Sequence, residues 1–241
     1  PDHKLASKAH LQAITGLMHR GRFNAATERI AAYLADARYV DRDETPQVRY
    51  LLGSCHAAQQ EFAKAIFAWQ EYLAKHPAHE AWSSAQRAII NTEYAAAAEA
   101  AIKKDYAQAR SLWSGFLAKY PLDERAPQIL LVFGQMNYDQ EKWDEAIADW
   151  RRVVSKYPNN DWSSTAQYRI ARLLEEKLGK LDEALEEYKK LTWGGHQKEA
   201  KQRIAQLVET LKKRFEAFDV TVDLTCHSGG GRFVLGFIDA F

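Results

Sequence analysis

Cys226-His227-Ser228, followed by Gly229-Gly230-Gly231, sets a thiol, an imidazole and a glycine run side by side. A thiolate activated by an imidazole is a covalent nucleophile, and a glycine run can aim backbone amides at a developing oxyanion. Adjacent side chains point apart, however, and catalytic partners normally meet from distant stretches of chain. The flanking pattern offers another reading. Val220, Val222 and Leu224 alternate with Thr221, Asp223 and Thr225, and 233–237 is a second apolar run. Glycines between two such runs mark a β-hairpin. The hairpin is favoured, with a thiol enzyme using Cys226 and His227 as its rival.

Other chemistry-bearing residues are scattered. Cys55 lies 171 positions before Cys226. That spacing holds no metal, and it leaves either buried free thiols or one bridge open, with free thiols favoured. His76 and His79 flank Pro77, so a shared helical face is not expected and both are read as solvent-exposed. Glu175-Glu176 and Glu186-Glu187 are interleaved with Lys177, Lys180, Lys189 and Lys190, the signature of a solvated face with ion pairs. Phosphate loops, dinucleotide fingerprints and zinc signatures are missing, so neither a cofactor nor a metal is expected. With 33 basic and 32 acidic side chains the net charge is +1, which gives no field to attract nucleic acid or an anionic membrane. No stretch is long and apolar enough to insert in a bilayer.

The strongest pattern lies in the elements that would have to position such groups. Segments 61–77, 105–121 and 142–158 share one register. Each has an aromatic (Phe62, Tyr106, Trp143), Ala three residues on (Ala65, Ala109, Ala146), Trp four further (Trp69, Trp113, Trp150), an apolar residue (Tyr72, Phe116, Val153) and a closing proline (Pro77, Pro121, Pro158). Weaker copies begin at Gly21 and Gly179, so the alanines fall at 26, 65, 109, 146 and 184, in steps of 39, 44, 37 and 38. Positions i, i+3, i+7 and i+10 trace one face of an α-helix, and the proline ends it. Apolar-periodic stretches at 48–59, 84–102, 127–139 and 165–178 precede these helices. The unit is therefore a helix hairpin, and hairpins must stack to bury their stripes. Trp82 and Trp162 each precede a Ser-Ser pair. There the serine is expected to cap the following helix and the tryptophan to staple its loop.

The pattern resembles the tetratricopeptide repeat family over about residues 9–205, with Leu52-Gly53 standing where that family has a Leu-Gly pair. The repeats exceed the family's usual length of about 34 residues, and the surplus is assigned to the loops after Pro77, Pro121 and Pro158. Gly53 and Gly134 keep the family's small position, whereas Ala97 and Arg172 replace it. The resemblance implies an all-α, right-handed solenoid of about five helix pairs over 1–217, closed by a helix near 197–218. A β-like tail over 218–241 would then be a hairpin, an appended segment or the start of a further domain. A chain that opens on Pro1 is expected to be a piece of a longer one. Segment 177–207, with Leu191-Thr192-Trp193-Gly194, more weakly resembles the repeat region of bacterial alpha-2-macroglobulin-like proteins. The Tyr-Pro endings are similar to periplasmic outer-membrane-assembly lipoproteins.

By that resemblance a ligand lies along the first helix of each pair. The implied groove residues are Gln47, Tyr50 and Ser54; Asn91 and Tyr94; Gln128, Leu131, Gln135 and Tyr138; and Arg169 with Glu176. Amides and tyrosines suit the backbone and apolar side chains of an extended peptide. The alternative for these positions is a solvated scaffold surface. The expected function is a non-catalytic protein-interaction scaffold, or else a spacer arm of a larger bacterial envelope protein, with a periplasmic setting favoured. The partner is a protein or extended peptide, and the oligomeric state is open.

Overall fold

The computed structural model describes residues 3–158 and 160–226, with side chains placed over 5–216. His227, the glycine run and 233–237 lie outside the described residues. Among those described, the secondary structure is helical: eleven α-helices, one 3-10 turn and no strand. The helices are α1 (His3–His19), α2 (Phe23–Ala35), α3 (Thr45–Ala58), α4 (Phe62–Lys75), α5 (Trp82–Ile102), α6 (Tyr106–Lys119), α7 (Ala126–Asp139), α8 (Trp143–Lys156), α9 (Asp161–Glu176), α10 (Leu181–Lys189) and α11 (Gln197–Cys226). They form five hairpins, α1–α2 to α9–α10, followed by α11. The chain divides into two compact units, Pro1–Asp123 and Glu124–Phe241.

Prolines and turns set the boundaries. α4, α6 and α8 end at Lys75, Lys119 and Lys156, one residue before the cap that precedes Pro77, Pro121 and Pro158. The turns inside the hairpins are alike. Gly21, Gln60, Lys104, Glu141 and Gly179 all take a left-handed φ, between 59° and 69°, five residues before the repeat alanine. In the second copy the Glu61 amide donates to the His56 carbonyl at 2.9 Å and the Gln60 amide to Ala57 at 3.0 Å. The same pair of bonds recurs at Asp105 and Lys104, and at Lys142 and Glu141. This reciprocal closure satisfies carbonyls that a helix end leaves open.

In the first unit, Ile14, Ala26, Ile30, Tyr33, Val48 and Cys55 form one apolar cluster, and Ala65, Trp69, Tyr72, Ala85 and Ile89 another. Cys55 is a free, buried thiol. In the second unit α7 packs on α8, α8 on α9, α9 on α10 and α10 on α11. Its buried residues include Ile129, Met136, Trp150, Ile170, Leu174, Tyr188 and Leu207.

Tryptophan and the small position are matched pairs sixteen residues apart. A Cβ added at Gly53 would stand 2.5 Å from the Trp69 indole, and one at Gly134 would stand 2.2 Å from that of Trp150. Each indole N–H donates to a carbonyl nineteen residues earlier, Trp69 to Tyr50 at 3.1 Å and Trp150 to Leu131 at 3.0 Å. The first copy carries Ile14 and Ile30 at these two places, and the last carries Arg172 and Tyr188.

Several expectations are corrected. Val220, Val222 and Leu224 belong to α11 and not to a strand. Between Gly195 and Gly229 the sequence has neither Gly nor Pro. A helix already nucleated therefore adds one hydrogen bond per residue, and six residues of alternation do not overcome that. The step of 44 arises inside α5, at 21 residues seven longer than α3, and not in a loop. Seven residues are two turns, so the apolar stripe keeps its direction. The Ser-Ser pairs sit inside helices. α9 is capped by Asn160, whose side chain accepts from the Trp162 amide, while Ser163 and Ser164 are buried. α5 begins at Trp82 with no side-chain cap.

His76 and His79 are not solvated bystanders. Tyr72 Oη and His79 Nδ1 are 2.7 Å apart, and the His76 ring lies 5.7 Å from that of Tyr72. Nor is Glu175 on a solvated face. It accepts from Tyr188 Oη at 2.9 Å and pairs with Arg203 of α11, tying the last helix to α9. Burial, reinforced by that carboxylate, pushes the Tyr188 phenol far above its ordinary value. Glu187 is buried as well, held by Gln167, Lys190 and Arg151.

Candidate functional site

The residues expected to line a groove stand on the first helices of their pairs. In the first unit, Gln47, Tyr50 and Ser54 follow the i, i+3, i+7 face of α3, and Asn91 and Tyr94 that of α5. Asn91 is exposed and the other four are partly buried. The tyrosine rings are committed to packing. Tyr50 lies 5.7 Å from Tyr72 and 6.4 Å from Trp69, and Tyr94 lies 5.8 Å from Trp113 and 6.0 Å from Phe116. These rings pack on the repeat tryptophans and are engaged more deeply than their sequence positions imply.

A cleft of about 570 Å³ in this unit opens on a different face of α3. Arg49, Leu52 and His56 line it with Leu34 of α2 and Ala63, Phe67 and Ala68 of α4. Gln47, Tyr50 and Ser54 are not part of it.

In the second unit, Gln128, Leu131, Gln135 and Tyr138 share one face of α7. Leu131 is 4% exposed and is lost to the core, and Gln128 is partly buried. Gln135, Tyr138 and Arg169 come together in a cleft of about 460 Å³. Thr165, Tyr168, Arg172, Leu173 and Glu176 of α9, Trp150 of α8 and His196 before α11 complete its lining.

The cleft is held by directed contacts. Arg169 Nη1 donates to Gln135 Oε1 at 2.9 Å, and Gln135 Nε2 donates to Asp139 Oδ1 at 2.8 Å. The amide is thereby oriented, with its oxygen toward the arginine. The Arg169 guanidinium sits 5.9 Å over the Trp150 ring. Burial lowers the Arg169 pKa, opposed by Asp139. Arg172 makes two bonds to Glu176, at 2.8 and 2.7 Å. Tyr168 and His196 stack face to face, with centroids 4.5 Å apart and planes 3° from parallel. Lys177 lies 5.9 Å over Tyr138, whose ring in turn meets Trp143 at 5.1 Å.

Sequence reasoning missed Thr165, Tyr168 and His196. The first two follow Arg172 and Glu176 along one face of α9, a signal that was present. His196 is brought in by the turn after α10. There Gly194 takes φ +82° and lies where a Cβ would stand 2.3 Å from Ser164 Oγ. The turn packs on α9 through a residue 30 positions away, and no local pattern reports that. Among the described residues no cluster of His, Cys, Asp or Glu is arranged to hold a metal, and no helix is long and apolar enough to cross a membrane.

Comparison with known proteins gives two family matches: Tetratricopeptide repeat-like domain over residues 62–217 and Tetratricopeptide repeat over residues 11–85. No curated protein matches the sequence. Among solved structures, a tetratricopeptide repeat protein from Parabacteroides merdae is similar at 13% identity, over 89% of this chain and 77% of that one, with a TM-score of 0.41. MamA from Desulfovibrio magneticus is similar at 17% identity, over 79% of this chain and 94% of that one, at 0.38. The TPR2AB domain of yeast Sti1, solved in complex with pHSP90, is similar at 18% identity, over 81% and 83%, at 0.31.

Proposed function

Since the chain belongs to the tetratricopeptide repeat-like family, we propose that it is a non-catalytic interaction module that receives an extended peptide along its first-helix face. The observation that carries this reading is the cleft of the second unit, where Gln135, Tyr138 and Arg169 converge. An extended peptide brings unpaired backbone amides and carbonyls together with apolar side chains. Gln135 and Thr165 answer the first requirement, and the Tyr138 and Tyr168 rings the second. A volume of about 460 Å³ holds a few side chains of such a peptide. In the first unit Gln47, Ser54 and Asn91, with the Tyr50 and Tyr94 rings, carry side chains of the same kind along the first helices.

The test is selection from a synthetic pool of random dodecapeptides on the immobilised protein, repeated with Thr165→Trp, whose indole fills the cleft. Peptides should be retained, and they should bind the variant at least about tenfold more weakly, with the far-UV circular dichroism of the two proteins the same. Retention of no peptide, or equal binding by a folded variant, overturns the reading.

A further inference from the structure

Arg169 differs from its counterparts in the other repeats. The residue nineteen positions before the second-helix anchor is Leu11, Tyr50, Tyr94, Leu131 and then Arg169. The array therefore places an apolar or aromatic side chain there four times and a cation once. Three positions on, where the second and fourth copies have Gly53 and Gly134, the last has Arg172. Two arginines thus enter one cleft at places the other copies keep uncharged.

Their electrostatic situations are unequal. Arg172 is neutralised by Glu176 through two short hydrogen bonds. Arg169 is partly buried, and its protein hydrogen bond goes to the neutral amide of Gln135. No ion pair joins it to a carboxylate among the described residues. Asp139, the acid that acts on it through space, is engaged by Gln135 Nε2. A cation drawn partly out of water with no anion in direct contact is unfavourable, and burial already works against its charge. A guanidinium offers five N–H groups, of which Gln135 takes one.

We propose that this cleft binds a single carboxylate of the peptide in a salt bridge to Arg169, with a planar group beside that carboxylate resting on the stacked Tyr168 and His196 rings. The inference rests on the peptide-binding reading above and deepens it. Charge decides the class of anion. Arg169, Arg172 and Lys177, which lies over Tyr138, stand against Glu176 and Asp139 and leave the cleft and its edge with one surplus positive charge. One negative charge matches that surplus, whereas a dianionic phosphate would carry a second charge toward Glu176 and Asp139. The planar, two-pronged guanidinium is also shaped for the two oxygens of a carboxylate. Gln135, fixed by Asp139, holds the guanidinium plane steady from behind.

The carboxylate has two sources, an Asp or Glu side chain and the peptide's own C-terminus, and two dodecapeptide pools separate them, one amidated and one with free ends. Peptides retained from the amidated pool should carry an acidic residue whose Glu→Gln or Asp→Asn replacement weakens binding about tenfold or more. If the terminus is the source, the amidated pool yields nothing, and amidating a retained free-ended peptide costs the same factor. Arg169→Met keeps an aliphatic chain over Trp150 and should bind the acidic and amide forms equally. Arg169→Lys should restore part of the preference. Retained peptides that lack an acid and bind Arg169→Met as well as the parent protein overturn the inference while peptide binding stands. A pool that yields nothing in either form overturns both. Should Arg169→Met fail to fold, the Glu→Gln peptide pair on the parent protein still decides.

Discussion

At the scale of single residues, the structure turns on whether a side chain leaves room for its partner sixteen positions away. Gly134 has no Cβ because the Trp150 indole occupies that place. Gly134→Ala is expected to destabilise the protein by about 1–3 kcal/mol, the range for overpacking a well-filled core, read as a lower urea midpoint at unchanged slope. An unchanged midpoint would mean that the indole swings aside freely. The pairing was half legible: the Gly and Trp positions stand out in the sequence, while their mutual contact and the indole's bond to Leu131 do not. The candidate groove was legible to a similar degree. That Gln135 and Tyr138 share a face of α7 follows from their helical spacing, whereas the packing of Tyr50 on Trp69 and of Tyr94 on Trp113 does not. Spacing alone does not reveal that a ring lies across a neighbouring tryptophan.

At the scale of helices and turns, periodicity located the elements well, because a sustained 3.6-residue pattern with a proline after each second helix admits few alternatives. It failed at helix ends. Nothing local distinguishes Ser84 as a cap from Ser84 inside an α5 that begins two residues earlier, and nothing within 220–225 stops α11 from running through it. The hairpin turns were also silent, since Gln60, Lys104 and Glu141 carry no sign of the left-handed φ they adopt. That conformation crowds a Cβ, and the first and last copies place glycine there. Lys104→Gly is therefore expected to stabilise the protein by about 0.5–1 kcal/mol. Equilibrium urea unfolding measures it, and a lower midpoint would show that the Lys104 side chain contributes more than its backbone strain costs. Lys104 is exposed and has no ion pair among the described residues, which makes it the cleanest of the three sites.

At the scale of the whole molecule, the chain contains two compact units that meet in sequence between Asp123 and Glu124. Each unit holds more than two hairpins' worth of helices and its own buried residues, which is about what a repeat array needs to stand alone. A fragment of residues 1–123 is expected to be helical and to unfold cooperatively in urea. A gradual, non-cooperative loss of ellipticity would show that the first unit depends on the second. The matched Gly and Trp residues add a constraint on how such an array can be rearranged. Each pair straddles the turn within one hairpin and never the loop between hairpins. Genetic exchange at the loops after Pro77, Pro121 or Pro158 transfers partners together. Exchange at Gln60 or Glu141 would join a first helix shaped for one second helix to another, bringing Ile14 against Trp69 or Gly134 against Tyr188. The heritable module of this protein is thus the hairpin running from loop to loop, and its crossover points are marked by the prolines.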